Sequence, residues 1–256
     1  MYLSAERLAL ANQAVKETFE QSSAAWQTIP HWDTGDPSQT QVPNDSLVNP
    51  LFLTLTPLPM DFQVMLADVI APKPDILLAN VNAYTAKLAA AVDNAVFPAL
   101  RTGAPVAQIK APGKTPEILN GLIDARALVE QGGYRAPSCL ITDTAGLKVF
   151  SALISGYPGT NVLLPPANIN SLQRVDTLAN PKAKALGYLL GRRQRIAPAG
   201  AADASAGEEA LDLAVSVPPS LEVVGAAANN MIQLRVRITY VLRVKDPSGY
   251  AVILTP

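Results

Sequence analysis

One cysteine and one histidine in 256 residues leave this chain short of the side chains on which most site chemistry depends. Cys139 has no partner for an internal disulfide and no companions for a multi-cysteine zinc site. His31 has no second histidine to share a metal, and any serine–histidine mechanism would rest on it alone. Charged residues make up only 16% of the chain and the formal net charge is −1, which excludes a surface built throughout to grip nucleic acid. There is no G-x-x-x-x-G-K-[ST] loop and no G-x-G-x-x-G. Gly132-Gly133 follows a helical pattern instead of opening one, so nucleotide binding has no motif to carry it. Asp124, Glu130, Asp143, Glu208 and Glu209 show no spacing that demands a carboxylate pair. No apolar run is long enough for a transmembrane helix, and no basic, apolar leader opens the chain, so a cytosolic protein without membrane partners is expected. Cofactors and metals: none is expected.

Present in abundance are proline, at 22 residues, and apolar side chains, at 49%. That balance predicts many extended connections whose surfaces are covered by neighbours, and hence oligomerisation. The strongest periodic signal lies near the end. Ile232, Leu234, Val236, Ile238, Tyr240, Leu242 and Val244 alternate with Gln233, Arg235, Arg237, Thr239, Arg243 and Lys245, predicting a strand over 231–245. At ~3.3 Å per residue it would reach roughly 45–50 Å, far longer than usual. It breaks at Asp246-Pro247-Ser248-Gly249, beyond which Tyr250 to Leu254 reads as a return strand.

Elsewhere the pattern is mixed α and β. Ser4 is placed to cap a helix reaching about Gln27, with Leu8, Ala11, Val15, Phe19 and Trp26 on one side. Pro30, Gly35, Pro37 and Pro43 then predict an extended arm, on which Ile29, Trp32 and Val42 are the candidate contacts to a second subunit. Leu51–Thr56 and Met60–Ala67 are expected to pair as a hairpin turned by Pro57-Leu58-Pro59. Asp75 is expected to cap a long helix reaching about Arg101. Thr115-Pro116-Glu117 starts another helix, followed by a strand at Cys139–Thr142 and a helix from the Asp143 cap to Ile154. Short strands are expected at Val162–Leu164, Leu186–Leu190, Leu211–Val217 and Leu221–Val224, with a surface loop at Ala197–Gly207. Two basic groups stand out. One is Arg192-Arg193-Gln194-Arg195; the other is the row Arg235, Arg237, Arg243 and Lys245. No aromatic residues are interleaved with them for base stacking, so water or carboxylates are their expected neighbours, with non-specific phosphate contact as the alternative.

This order of elements resembles the HK-97-like shell proteins, a superfamily that includes tailed-bacteriophage major capsid proteins and encapsulins. Three stretches carry the resemblance. Ala90-Ala91-Val92-Asp93-Asn94-Ala95-Val96-Phe97 is similar to the end of the family's spine helix. Ile123 to Ile141, with Gly132-Gly133 and Pro137, is similar to the opening of its axial lobe, and Ile238 to Leu254 to its long strand, turn and final strand. Typical encapsulins carry Gly-Pro-Tyr before the lobe strand and Arg-Gly-Gly-Asp-Phe further on, where this chain has Arg135-Ala136-Pro137-Ser138 and Gly207-Glu208-Glu209-Ala210-Leu211.

The resemblance implies an α+β chain in five parts. They are an N-terminal helix and arm (1–46), a projecting hairpin or extended loop (47–72), a spine helix and connection (73–114), a mainly axial α/β lobe (115–225), and a peripheral-sheet long strand with its return strand (226–256). It implies a non-enzymatic subunit that self-assembles through pentamers and hexamers into an icosahedral shell. The favoured expectation is a phage major capsid protein enclosing double-stranded DNA, found in the virion after assembly in the host bacterial cytoplasm. An encapsulin holding a cargo protein in the bacterial cytoplasm is the alternative, and a small soluble α/β enzyme a third. On this resemblance the basic row Arg235, Arg237, Arg243 and Lys245 would lie on the inner face.

Overall fold

A computed structural model describes residues 3–46, 49–109, 114–176, 178, 185–193 and 209–255. The chain starts with α1 (Ala5–Ser22), capped by Ser4, whose hydroxyl accepts from the Arg7 amide. Ala11, Val15 and Phe19, four residues apart, form its buried stripe. The expected single helix to Gln27 is in fact two. Ser23 leaves helical geometry (φ −90°, ψ 116°) and its hydroxyl accepts from the Trp26 amide at 3.1 Å, starting α2 (Ala24–Thr28). β1 (His31–Asp33), β2 (Gln41–Pro43), β3 (Phe52–Thr54) and β4 (Thr56–Met65) follow.

The expected hairpin turned at Pro57-Leu58-Pro59 does not form. Both prolines lie inside β4, with Pro57 opposite Thr239 and Pro59 opposite Arg237. β4 is the outer strand of its sheet, the one place where a strand tolerates residues lacking an N–H. The hairpin is formed earlier, by β2 and β3, with Val42 opposite Leu53.

After α3 (Leu66–Ile70) comes α4 (Asp75–Ala99), whose 25 residues span about 38 Å. Its buried face carries Leu77, Val81, Leu88, Val92, Val96 and Phe97. Asp75 is the first helical residue, and Pro74 occupies the cap without a side-chain bond. β5 (Val106–Gln108) leads to α5 (Thr115–Gln131), which has proline in its first turn as expected. Next are β6 (Ala136–Thr142) and α6 (Thr144–Ser151), where Asp143 caps by accepting from the Gly146 amide at 2.8 Å. The expected strand at Val162–Leu164 lies largely in a helical turn, α7 (Gly159–Leu163), since three apolar residues carry too little periodicity to separate strand from helix. β7 (Ile169–Arg174) and β8 (Ala185–Arg192) complete this region. The expected loop at Ala197–Gly207 lies outside the described residues.

The two strands expected at Leu211–Val217 and Leu221–Val224 are one, β9 (Leu211–Ala227). Pro218-Pro219 is absorbed by a bulge against β10 (Met231–Val244), where Arg237 faces Ser220 but Thr239 faces Val217. Asn229 (φ 58°) and Asn230 (φ 55°) turn β9 into β10, the left-handed pair that a tight hairpin requires. The first sheet has order β1-β9-β10-β4; α1 and α4 pack with it to form one apolar core.

β11 (Tyr250–Leu254) does not pair with β10. It joins the second sheet, ordered β5-β11-β8-β6-β7, so the expected peripheral unit 226–256 is divided between two sheets. Asp246 makes the handover, its carboxylate accepting from both the amide and hydroxyl of Ser248. Gly249 is required there by close approach, because an added Cβ would lie 2.0 Å from that of Ala210. α5 and the second sheet enclose their own core around Leu122, Val129, Leu140 and Ile253.

Candidate assembly surface and its ion-pair clusters

Strand register determines the surroundings of the basic row. Arg235 on β10 stands between Asp61 on β4 and Glu222 on β9. Its guanidinium forks onto Asp61, with Nε to Oδ1 at 2.6 Å and Nη2 to Oδ2 at 3.0 Å. That hydrogen bond holds the Asp61 carboxyl below the usual carboxylate range. Arg237 reaches Glu222 at 3.4 Å. Both arginines are solvent-accessible and both already have carboxylate partners.

Arg243 and Lys245 do not share that row. Their side chains are 5% and 6% exposed, and Asp212, opposite Arg243 on β9, is 1% exposed. Register shifts on either side of Thr239 end the regular alternation, and the β2–β3 hairpin lies across this end of β10. Arg243 donates to both oxygens of Asp212 at 2.7 Å, and Lys245 Nζ lies 3.0 Å from Asp212 Oδ2. From the hairpin, Asp45 Oδ2 accepts from Arg243 Nη1 at 2.5 Å and the Pro43 carbonyl from the same nitrogen at 3.0 Å. Burial works against the Arg243 charge, but these carboxylates more than offset it and raise its pKa.

The arm residues are placed within their own subunit. Ile29 and Val42 are fully buried. Trp32 is half-buried, packs with the Val42–Leu55–Ala214 cluster, and lies under Arg243 at 4.7 Å from ring centroid to guanidinium carbon. The outward-facing apolar side chains on this segment are Leu51 and Phe52, the latter 70% exposed. Strand alternation contained the signal, since Phe52 and Thr54 must oppose Leu53 and Leu55. A second exposed pair, Leu153 and Tyr157, was not legible as such, because a helix was expected through Ile154. Helix α6 stops at Ser151, and Ser155 (φ 52°) and Gly156 (φ 86°) form a tight turn closed by reciprocal Ile154–Tyr157 backbone bonds of 2.8 and 3.0 Å.

Asp93 on α4 is buried and joins the N-terminal helices to the long helix. Its carboxylate accepts from Ser23 Oγ at 2.8 Å and from the Ala24 and Ala25 amides at 2.9 Å each, satisfying the first free N–H groups of α2. Burial is the largest influence on it and raises its pKa despite these bonds.

The candidate reactive groups are engaged in packing. Burial pushes the Cys139 thiol up, away from the nucleophilic thiolate. The His31 ring stacks on Trp26 with centroids 3.7 Å apart. Arg192 is buried and donates to the Thr28 carbonyl, and Arg193 lies over the Tyr134 ring. Gln194 and Arg195 lie outside the described residues. Among the described residues no group of three or more His, Cys, Asp or Glu is arranged to hold a metal, and no helix is long and apolar enough to cross a membrane.

No protein-family model matches the chain, and no curated protein matches its sequence. Solved structures match it over nearly its whole length. A virus-like particle from Pyrococcus furiosus is 14% identical, with 97% of this chain and 100% of that chain covered and a TM-score of 0.69. A phage-related protein from Bordetella bronchiseptica RB50 is 8% identical, covering 96% and 95%, with a TM-score of 0.62. The capsid structure of the Cyanophage P-SCSP1u is 11% identical, covering 91% and 87%, with a TM-score of 0.56. At these identities the likeness is one of fold, and it establishes that the chain has the HK-97-like shell fold.

Proposed function

We propose that this protein is a non-enzymatic structural subunit that self-assembles into an icosahedral shell, as the major capsid protein of a tailed bacteriophage enclosing double-stranded DNA. The observation that carries the reading is the near-complete two-way coverage between this chain and subunits whose structures are described as a virus-like particle and a phage capsid. Exposed apolar side chains at two separate places, Phe52 on the hairpin and Leu153 with Tyr157 beyond α6, suit a subunit that contacts more than one neighbour. Such a subunit would build pentamers and hexamers and reside in the virion after assembly in the host cytoplasm. Enclosed DNA would meet few free cations on the first sheet. Arg235 and Arg237 remain the candidates to face the interior, and phosphate there must compete with Asp61 and Glu222, so contact with DNA would be weak and non-specific.

A second reading, an encapsulin-type shell around a cargo protein, is favoured by one feature. A groove of about 400 Å³ lies between α1 and Pro218-Pro219 of β9, lined by Asn12, Gln13, Lys16 and Trp26, and has the size to seat a short segment of another chain. Electron microscopy of the purified protein tests the shell itself: closed particles are expected, and a monomer or dimer under every assembly condition refutes both readings. Nuclease-protected nucleic acid inside the particles supports the capsid reading. A co-purifying protein within nucleic-acid-free particles supports the cargo reading.

A further inference from the structure

We propose that the Asp45–Arg243 ion pair is a latch that holds the β2–β3 hairpin against its own subunit and thereby sets the direction in which Leu51 and Phe52 project. The receptor for the latch is assembled without the hairpin. Arg243 is clamped by both oxygens of buried Asp212, Lys245 rests on the same carboxylate, and the Trp32 ring lies against the guanidinium. These groups bring two cations to one buried carboxylate. Asp45 is the second carboxylate, and with its side chain 47% exposed it is the member of the cluster that faces solvent.

The hairpin presents Asp45 in a fixed pose. Asn44 organises the turn, with Oδ1 accepting from the Leu51 amide at 3.0 Å and Nδ2 donating to the Asn49 carbonyl at 2.8 Å. Asp45 itself sits at φ 52°, which turns its carboxylate towards Arg243. Among the described residues, the ribbon's other attachments are its run through Leu55 into β4 and apolar packing with Trp32 and Val241. It pairs over three residues on each strand, one of them Pro43, and its apolar anchor is the small Val42–Leu55–Ala214 cluster. Two-stranded ribbons of this size are marginal alone. Lifting the hairpin would exchange both the Asp45 carboxylate and the Pro43 carbonyl on Arg243 Nη1 for water, so the docked position is preferred by the strength of those charge-assisted bonds. The consequence for assembly rests on the shell reading, in which a neighbouring copy meets Phe52 at a defined place.

Asp45→Asn tests the latch, because asparagine keeps the shape and tolerates positive φ while removing the charge. In unassembled full-length subunits, amides of residues 41–46 and 49–55 are expected to exchange about fivefold to tenfold faster in the variant, with those of α5 and β8 unchanged. Raising salt from about 0.05 to 1 M should accelerate this exchange in the parent and leave the variant unaffected. Equal exchange in parent and variant overturns the latch. Failure of the parent to form particles would sink the shell reading and leave the exchange comparison intact, whereas particles combined with unchanged exchange would sink the latch alone.

Discussion

Replacing Asp93 tests whether the N-terminal helices are joined to the long helix by a carboxylate that burial has made reluctant to ionise. Asp93 is 7% exposed and accepts three hydrogen bonds, two from backbone amides that have no other partner in a helix of five residues. In Asp93→Asn, Oδ1 keeps Ser23 and the Ala25 amide, but the new NH₂ faces the Ala24 amide, donor against donor. One buried N–H left unsatisfied costs about 1–3 kcal/mol, offset in part by relief from burying a charge. Asp93→Ala strands both amides and opens space, so about 2–4 kcal/mol is expected. The pH dependence is more discriminating. The folded-state pKa of Asp93 is raised above its ordinary value of 3.8, so its contribution to stability is fully present below that value and is lost as pH rises through the folded pKa. Asp93→Asn has no such titration. Urea unfolding of unassembled subunits, followed by the fluorescence of Trp26 and Trp32, should therefore show the parent's advantage over Asp93→Asn shrinking from pH 4 upward. An advantage that grows with pH would mean that the three hydrogen bonds outweigh burial, and would refute the reasoning.

Two further outcomes are expected. Phe52→Ser should leave subunit stability within about 0.5 kcal/mol in urea unfolding, as for an exposed site, while lowering particle yield by electron microscopy; undiminished yield would remove the hairpin from the assembly surface. Arg126→Met should destabilise by about 3–5 kcal/mol, because the buried guanidinium of α5 holds Glu130, Ser138 Oγ and the carbonyls of Arg135 and Ala136; a loss below 1 kcal/mol in the same assay would show that those acceptors find other donors.

Much of the fold was legible because it follows from local periodicity and caps. The stripe Leu77–Val81–Leu88–Val92–Val96 marks α4, Pro116 and Asp143 mark helix starts, and alternation from Ile232 to Tyr240 marks β10. The misreadings cluster at residues whose meaning depends on a distant partner. Pro57 and Pro59 look like a turn until β4 proves to be an edge, and Pro218-Pro219 looks like a break until β10 supplies a bulge. Ser23 looks like a helical residue until Asp93 gathers the amides beside it. On the candidate assembly surface, the sequence reading singled out Ile29 and Val42, which are consumed by their own subunit, and passed over Phe52, whose exposure depends on how the hairpin docks.

The long terminal strand separates the two sources of information most clearly. Alternation alone predicts a strand over 231–245 with one apolar face, because side chains alternate with the pleat whatever the strand pairs with, and β10 spans Met231–Val244. That Arg235 and Arg237 meet solvent beside Asp61 and Glu222 while Arg243 and Lys245 are enclosed around Asp212, and that β11 leaves for the other sheet, follows from the packing of remote segments. The physical reason is that charge burial and strand pairing are set by which segments, remote in the chain, are brought alongside. For Arg243 those segments are β9 and the hairpin carrying Asp45, some thirty and two hundred residues away.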